Sequence, residues 1–274
     1  METESADSQV DGGLVMRAVM CLSGGMDSTA LLLRLLAGGF TVSCLSYDYG
    51  QKHSIEIERA KSNISYLRDS GIDVGHTVVN LRSAMGAFNS ALTTEGFEVP
   101  EGHYESEQMK QTVVPNRNAI FSSILYGHAL SVATREESEV SIALGVHSGD
   151  HEIYPDCRSE FYKILEMAFR VGNWDSDKVS FHLPYIDGDK SSILIDALDS
   201  VDALGLDFDT VFANTITSYN PDSFGRSSGR SGSDVERILA FHSIGRKDPV
   251  EYVDDWQTVL KNAIIAEREY EAST

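Results

Sequence analysis

Residues 20–29, MCLSGGMDST, decide the fold that this sequence predicts. An apolar segment at residues 17–22 leads into two adjacent glycines and then into the apolar run LLLRLL at residues 31–36, a pattern typical of a strand, a tight turn and a helix. Gly24 and Gly25 let the backbone turn sharply and approach a ligand closely. The start of the helix favours an anion, so we predict a phosphate-binding loop here.

This loop differs from two widespread phosphate loops, because it has neither a Gly-Lys-Ser/Thr ending nor a GxGxxG run. A carboxylate in an anion-binding loop repels phosphate unless a divalent cation lies between them, so Asp27 is predicted to hold magnesium bound to pyrophosphate. A Ser-Gly-Gly turn alone is often an ordinary connection. The longer pattern Ser-Gly-Gly-x-Asp-Ser after a strand resembles the pyrophosphate loop of ATP pyrophosphatases, which split ATP into AMP and pyrophosphate to adenylate a substrate.

Length and composition limit the class of protein. With 274 residues and no long Pro/Gly/Ser linker, the chain is expected to form a single α/β domain over residues 15–274, helical from about residue 214. Residues 1–14 are acidic and contain no apolar signal segment, which predicts a disordered tail. No apolar run is long enough to cross a bilayer. We expect a soluble, cytoplasmic protein.

The formal net charge of −20 disfavours nucleic acid and anionic membranes as partners, because both are polyanions. The same charge suits a halophilic, high-salt cytoplasm, and retained folding and activity in low-salt buffer would count against that hypothesis. Cys21, Cys44 and Cys157 show no CxxC spacing, so neither a disulfide framework nor a cysteine metal site is predicted.

Strand-like segments recur at residues 40–47, 74–79, 139–144 and 179–183, with helical stretches between them. This alternation predicts a doubly wound, Rossmann-like α/β fold with a parallel sheet, in which ligands bind beyond the carboxyl ends of the strands. Polar clusters follow three of the strands. The repetition favours a binding site, since a scaffold needs only turns at these points.

Residues 81–118 lack clear periodicity and are predicted to form a long ordered loop or lid. The segment ends in VVPNRN, where a proline turn presents Arg117 between Asn116 and Asn118. Guanidinium and amide groups together offer contacts for an anion and a nucleobase. The structural alternative is a capped helix start with a solvent-facing arginine.

Three further features of the sequence bear on its structure or function. Lys190 opens a predicted helix, where it opposes the helix dipole, so it is either a phosphate ligand or a solvated lysine. Residues 227–233 are polar and glycine-rich, which predicts a flexible loop. Residues 254–272 predict a terminal amphipathic helix, used for core packing or for a dimer contact.

Together these residues resemble one family closely, the 7-cyano-7-deazaguanine synthases of queuosine and archaeosine biosynthesis. The resemblance spans about residues 17–252 and is carried by residues 23–28, DYGQ at 48–51 with His53, residues 90–93, PNRN at 115–118, residues 154–161, Lys190 and DPVEY at 248–252. It implies an ATP-dependent ligase that joins ammonia to the carboxylate of 7-carboxy-7-deazaguanine and then dehydrates the amide to a nitrile, through adenylated intermediates.

The resemblance also implies a role for each matching position. Asp27, Lys190 and Arg117 are the expected catalytic residues, with Asp27 holding Mg²⁺ through ATP and Lys190 countering charge that develops on pyrophosphate. The expected ATP-binding residues are Leu22, Ser23, Gly24, Gly25, Met26, Asp27, Ser28, Thr29, Asp48, Tyr49 and Gln51. The expected substrate-binding residues are Asn116, Arg117, Asn118, Asp150, Asp156, Arg158 and Glu160.

The chain departs from the family pattern at four zinc-binding cysteines, which are replaced here by Ser218, Ser228, Ser231 and Asp234. Serine hydroxyls are poor zinc ligands and one aspartate cannot hold a tetrahedral site, so no structural zinc is predicted. Two alternatives to the synthase stay open: a diverged zinc-free paralogue that adenylates a deazapurine or other nucleobase for another acceptor, and a non-catalytic nucleotide sensor. The resemblance favours a homodimer.

Overall fold

The computed structural model of the protein describes residues 15–51, 55–88, 90, 112–151, 154–218 and 221–272. The tail predicted at residues 1–14, most of the predicted lid, His53 of the DYGQ cluster and the side chain of Asp150 lie outside the described residues. The strands are β1 (Arg17–Cys21), β2 (Thr41–Asp48), β3 (Gly75–Asn80), β4 (Val140–Ala143) and β5 (Val179–His182). The helices are α1 (Met26–Ala37), α2 (Ile55–Asp69), α3 (Arg82–Met85), α4 (Arg117–Glu136), α5 (Ser159–Gly172), α6 (Lys190–Leu204), α7 (Phe208–Ala213), α8 (Gly232–Ser243) and α9 (Trp256–Glu271).

The five strands form one sheet in the order β3-β2-β1-β4-β5, and every pairing is parallel. The predicted parallel, Rossmann-like fold is therefore confirmed. The strand order reverses at β1, which lies between β2 and β4. The connections that leave the carboxyl ends of β1 and β4 diverge from this point, which is where doubly wound sheets bind their ligands. The predicted phosphate loop begins directly after β1.

Alternation along β1 divides the core between the two faces of the sheet. Ala18 and Met20 pack into an apolar cluster with α1 and α6. Val19, between them, packs into a second cluster with Leu125 and Ala129 of α4. Each face of the sheet is thus covered by helices, as a parallel sheet requires.

Helix α4 begins at Arg117, so Arg117 and Asn118 form its first turn and do not belong to the loop predicted at residues 81–118. Asn116 has φ +59°, the left-handed region that asparagine tolerates better than most residues. The proline turn and this left-handed residue together direct the start of α4 toward the end of β1.

The carboxyl-terminal helices pack onto the α1 face of the sheet. Helix α6 contacts α1 and α8, and α8 contacts α9. Val259 and Ala263 of α9 pack against Ile238 and Tyr252. None of the helices in the described part of the chain has the length and apolar character needed to cross a membrane.

Candidate active site

The loop between β1 and α1 has a conformation that only glycine permits at Gly24. This residue has φ +87°, and a Cβ there would lie 2.0 Å from the backbone oxygen of Glu56. The Ser23 and Ser28 hydroxyl oxygens lie 2.9 Å apart, and the Gly25 amide donates to Ser23 Oγ at 3.2 Å. Both hydroxyls lie at the amino end of α1, where the helix dipole favours an anion.

A cavity of about 260 Å³ opens from this loop across the carboxyl ends of β1, β2 and β4. Ser23, Gly25, Asp27 and Ser28 line it with Leu22 and Met26. The side chains of Leu22 and Met26 are fully buried in the core, so only their backbone can serve a ligand. Gly24 shapes the turn from outside the lining, and Thr29 is buried within α1.

Much of the remaining wall is aromatic. The Phe121 ring stacks on Tyr47 with 4.1 Å between centroids. The Arg117 guanidinium lies 5.7 Å from the centroid of the Tyr154 ring. Flat rings and a cation over one of them suit a flat heteroaromatic ligand that carries negative charge. The aromatic lining residues are Tyr47, Tyr49, Phe121, Tyr154 and Tyr162.

Lys190 reaches the cavity from the first turn of α6, and its side chain is 5% exposed. Its ammonium donates to Asp27 Oδ2 at 3.2 Å and lies 2.7 Å from His147 Nε2. The other ring nitrogen of His147, Nδ1, accepts from the Gly149 amide at 3.1 Å. The lysine that the sequence left as either solvated or functional is therefore buried beside the aspartate of the loop.

Arg117 and Asn118 both line the cavity, as expected of substrate contacts. The Asn118 amide nitrogen Nδ2 lies 3.3 Å from Cys157 Sγ, and its backbone N–H donates to Asp156 Oδ2 at 3.3 Å. Asp156 therefore holds the start of α4 and lies behind the lining. Asn116 also lies outside the lining, where its left-handed backbone sets the turn.

The polar cluster after β2 contributes Tyr49 to the cavity wall, whereas its aspartate, Asp48, does not line the cavity. Asp48 points away from the cavity and accepts from Arg82 Nε at 2.7 and 2.8 Å. Gln51 lines the cavity, but its side-chain oxygen accepts from the Tyr49 amide at 3.0 Å, and its Nε2 donates to the Tyr47 carbonyl at 3.2 Å. Gln51 thereby fixes the backbone that carries Tyr49 into the wall.

Arg158 and Glu160 are exposed and lie outside the lining. Arg158 Nε donates to the His151 carbonyl at 2.8 Å. Asp150 lies in a short 3-10 turn, Ser148–Asp150, that follows β4. All three positions follow β4 in the chain, but the side chains of Arg158 and Glu160 do not reach the cavity.

Sequence reasoning missed Glu56 and gave no firm role to His147. Glu56 lies in the first turn of α2, lines the cavity, and has its pKa raised to about 7 by burial, against the opposing effect of Arg117. A signal for it was present, because a helix that starts at the carboxyl edge of a parallel sheet brings its first turn to the ligand crevice. His147 follows β4 at the same edge.

Cys21 lines the cavity but is not a reactive nucleophile. Burial raises the pKa of its thiol to about 12, against the opposing effect of Arg117. The thiol is therefore protonated at neutral pH, and the thiolate is the form that attacks.

The four positions that replace cysteines do not fit zinc. Ser218 Oγ donates to Asp234 Oδ2 at 3.2 Å, and the Asp234 amide donates to Ser231 Oγ at 3.2 Å. Burial raises the pKa of Asp234. Ser228 instead accepts from the Arg230 amide. One carboxyl among hydroxyl donors lacks the thiolates or imidazoles that tetrahedral zinc prefers, so we derive no zinc chemistry from them.

The segment at residues 227–233 is also not the flexible loop that its composition predicts. Ser227, Ser231 and Ser233 are 5%, 3% and 2% exposed. A Cβ at Gly229, which has φ +74°, would lie 2.8 Å from Val259 Cγ1 of α9. The serines pack because their hydroxyls find partners within the segment and on the Thr217 carbonyl.

Comparison with known proteins gives one family. The sequence model described as "Queuosine biosynthesis protein QueC" matches residues 17–245. The 7-cyano-7-deazaguanine synthase 2 of Colwellia psychrerythraea is 40% identical over 237 residues, which are 86% of this chain and 98% of that protein. The 7-cyano-7-deazaguanine synthase of Methanoregula boonei is 38% identical over 237 residues, 86% of this chain and 99% of its own. A solved structure of NMN synthetase from Francisella tularensis has a TM-score of 0.40 and 13% identity, covering 92% of this chain and 84% of that one.

Proposed function

The chain belongs to the QueC family of queuosine biosynthesis proteins, and from this premise we propose that it is an ATP-dependent carbon–nitrogen ligase. Its substrates are 7-carboxy-7-deazaguanine, ammonia and ATP, and its product is 7-cyano-7-deazaguanine. Besides the family, one observation carries the proposal. A single cavity joins the phosphate loop to Lys190 and to an aromatic wall with Arg117, so a nucleotide and a flat acid can meet there.

The reaction needs activation because a carboxylate is a poor electrophile. Attack of the carboxylate oxygen on the α-phosphorus of ATP releases pyrophosphate and leaves an acyl adenylate, from which ammonia displaces AMP to give the amide. Attack of the amide oxygen on a second ATP releases pyrophosphate again. The adenylated imidate then loses AMP and a proton to become the nitrile.

The loop would hold the departing pyrophosphate with its hydroxyls and amides, while the ammonium of Lys190 counters the charge that develops there. Asp27 suits magnesium, because its Oδ2 accepts from Lys190 while Oδ1 is buried without a hydrogen-bond partner in the described part of the chain. Mg²⁺ bound with ATP would neutralise charge on the phosphates. Arg117 would orient the substrate carboxylate.

Glu56 and the aromatic wall would select the base. A carboxylate accepts from the N–H donors of a guanine-like edge, and the Tyr47, Phe121 and Tyr154 rings give it flat surfaces. Burial raises the pKa of Glu56 to about 7, against the opposing effect of Arg117, so the ionised form is reached near neutral pH. Asp150, Asp156, Arg158 and Glu160, which the family resemblance implies for the substrate, would act in this proposal from behind or beside the cavity.

We place the protein in the cytoplasm, where ATP and ammonia are available, with no nucleic acid as a direct partner. The net charge of −20 supports a high-salt environment, because salt screens the self-repulsion of such a surface. Assays therefore belong in molar salt.

We also propose a homodimer, with α5 as its contact. Four large apolar side chains at helical spacing on α5 and just beyond it are 60%, 66%, 91% and 92% exposed, namely Ile164, Met167, Val171 and Trp174. Contiguous exposed apolar side chains mark interaction surfaces. The terminal helix α9, for which the sequence left core packing and a dimer contact open, buries its Val259 and Ala263 against α8.

The exposed stripe on α5 suits a second copy of the same chain. One helix face can be its own complement about a two-fold axis. Charges of both signs flank the stripe on the same helix and can pair across the axis, at Lys163, Glu166 and Arg170.

Val171→Glu is expected to convert the dimer to a monomer at about 10 μM in light scattering, because a charge would be buried unpaired. Val253→Glu, at a half-exposed valine outside the stripe, should leave the dimer intact; a monomeric wild type would refute the proposal.

The ligase itself is tested by incubating the purified protein with ATP, Mg²⁺, ammonium and 7-carboxy-7-deazaguanine in molar salt, followed by mass spectrometry of the small molecules. Nitrile is the expected product. Adenylate or amide without nitrile would point to the zinc-free paralogue with another acceptor, and no turnover would favour the nucleotide sensor.

A further inference from the structure

Glu236 of α8 reaches the buried lysine of the cavity from the side away from the phosphate loop. Its Oε2 lies 3.0 Å from Lys190 Nζ, and the two side chains are 24% and 5% exposed. Lys190 therefore contacts carboxylates from two separate elements, since Asp27 in α1 accepts from it at 3.2 Å. A contact this short between poorly exposed groups is screened much less than a surface ion pair.

The loop after β4 leaves room for this contact. A Cβ at Gly149 would lie 2.4 Å from Glu236 Oε1 and 3.0 Å from His147 Cε1. Real Cβ atoms do not come within 2.4 Å of a non-bonded atom, so any side chain at Gly149 would displace the Glu236 carboxylate and crowd His147. Two elements distant in sequence are thus shaped around one ammonium.

We infer that Glu236 is a positioning residue for Lys190 in the proposed ligase reaction. A lysine side chain is long and flexible, and a single acceptor leaves its ammonium many positions. Asp27, His147 and Glu236 contact Nζ from three elements and so fix its position. An ammonium that is already in place when charge develops on pyrophosphate stabilises the transition state without reorganising first.

A merely structural role for Glu236 is the competing explanation, and the surroundings of α8 argue against it. The neighbouring residue Arg237 already ties α8 to the rest of the chain by hydrogen bonds to Asp248, Thr215 and the Phe212 carbonyl. Glu236 points instead into a hollow that it lines with Gly149 and Lys190, where its described ion pair is with Lys190.

A double-mutant cycle tests the inference, which rests on the proposed function. We expect Glu236→Gln to lower kcat for nitrile formation about tenfold, while KM for MgATP changes less than about threefold, because the ground state needs the ammonium less than the transition state does. Glu236→Asp keeps the charge and should recover part of the loss. In a Lys190→Gln background, Glu236→Gln should have almost no further effect.

The matched control is Glu136→Gln, which removes ion pairs to Arg17 and Arg135 at the opposite end of the sheet and should leave kcat unchanged. Equal losses from Glu236→Gln with and without Lys190 would overturn the inference. So would a rate unchanged by Glu236→Gln in the otherwise native chain.

Failure of the proposed function is distinguished by measuring the affinity for magnesium pyrophosphate by calorimetry. This readout does not depend on which acid is adenylated. The same cycle applies, and Glu236→Gln is expected to weaken pyrophosphate binding about tenfold only when Lys190 is present. A protein that makes no nitrile but shows this coupling loses the proposed function and keeps the positioning of Lys190 by Glu236 at the pyrophosphate site, and one that binds pyrophosphate without the coupling refutes the positioning.

Discussion

The phosphate loop and the carboxyl-terminal segment, residues 215–252, meet at Lys190 but are held by different forces. The loop stands on an apolar core, where Leu22, Met26 and Leu31 are fully buried. The described part of the segment instead buries charges, with Arg237 and Asp248 1% and 0% exposed. An apolar core tolerates some mismatch, whereas a buried polar group costs free energy unless each atom finds a partner.

The buried polar groups of the segment form one connected network. Arg237 Nε donates to Asp248 Oδ2 at 2.6 Å, and Arg237 Nη1 donates to Thr215 Oγ1 at 2.8 Å. The Tyr252 hydroxyl donates to Asp248 Oδ2 at 2.7 Å. Such a network specifies one arrangement, which is the role that a metal ion performs in a polar segment without a large apolar core.

The largest predicted loss of stability is in the carboxyl-terminal segment. Asp248→Asn would leave the Arg237 guanidinium buried without its counter-charge, which typically costs about 3–5 kcal/mol of unfolding free energy. Urea unfolding in molar salt measures it. Asp222→Asn, which removes a surface pair with Arg226, should cost far less. Similar losses from both substitutions would mean that the buried network does not hold the segment.

The next largest effect is on catalysis, at the loop. Lys190→Gln is expected to lower kcat for nitrile formation about 10²–10³-fold, because the charge that develops on pyrophosphate loses its cation. The urea midpoint should move far less than it does in Asp248→Asn, since Lys190 is not part of the segment's network. Lys247→Gln, at an exposed lysine, is the control for loss of one positive charge. Residual activity within threefold of wild type in Lys190→Gln would remove the lysine from the mechanism.

The two regions also differ in how far the sequence predicts them. Residues 17–36 show strand and helix periodicity around a glycine turn, and the structure has β1, the loop and α1 there. The predicted parallel sheet brings the start of α1 and the start of α6 to one edge, where Lys190 meets Asp27, but the order of the strands comes from the structure alone. Local pattern alone does not reach the pairing of Arg237 with Asp248, because that contact depends on where α8 lies in three dimensions.

Side-chain direction explains what the sequence could not predict within the site. Asp48 ends β2 at the cavity edge, yet Arg82 draws its carboxylate to the other side. Glu56 follows the polar cluster after β2 in the chain and was not included in the predicted site. The close approach of α2 to Gly24 brings it to the cavity. Serine and glycine at residues 227–233 suggest flexibility by composition, but burial of their hydroxyls depends on partners elsewhere.

A moderate effect on substrate binding is expected at Glu56, which lies on the same side of the cavity as the phosphate loop. If its carboxylate accepts from the substrate, KM for 7-carboxy-7-deazaguanine should fall as the pH rises through about 7, where burial has raised the pKa of Glu56. Glu56→Gln should raise KM about tenfold and abolish that pH dependence, a loss typical of one charged hydrogen bond. Steady-state kinetics between pH 6 and about 8 measure both. Glu58 pairs with Lys61 on the surface, so Glu58→Gln should keep the wild-type dependence of KM on pH. A pH dependence that is unchanged in Glu56→Gln would exclude a role for Glu56 in substrate binding.

The smallest effect is expected at Asp234, on the segment side. Burial raises its pKa, against hydrogen bonds from Ser231 and Ser218. A carboxyl with a higher pKa in the folded than in the unfolded state contributes stability below the unfolded pKa, and this contribution is lost as pH rises through the folded pKa. The stability of the wild type relative to Asp234→Asn should therefore decline as the pH rises above about 4.

Asp222 provides the control of opposite sign, because hydrogen bonds from Arg226 lower its pKa. Relative to Asp222→Asn, the wild type should gain stability as pH rises through the unfolded pKa. Urea unfolding over the same pH series measures both variants, with and without a chelator. A wild-type advantage over Asp234→Asn that grows with pH, or a wild-type midpoint that falls on chelation, would mean that the Asp234 carboxylate binds a cation. The serine and aspartate positions would then hold the segment through a bound cation. The segment would differ from the loop by its cation ligands, and buried hydrogen bonds alone would not hold it.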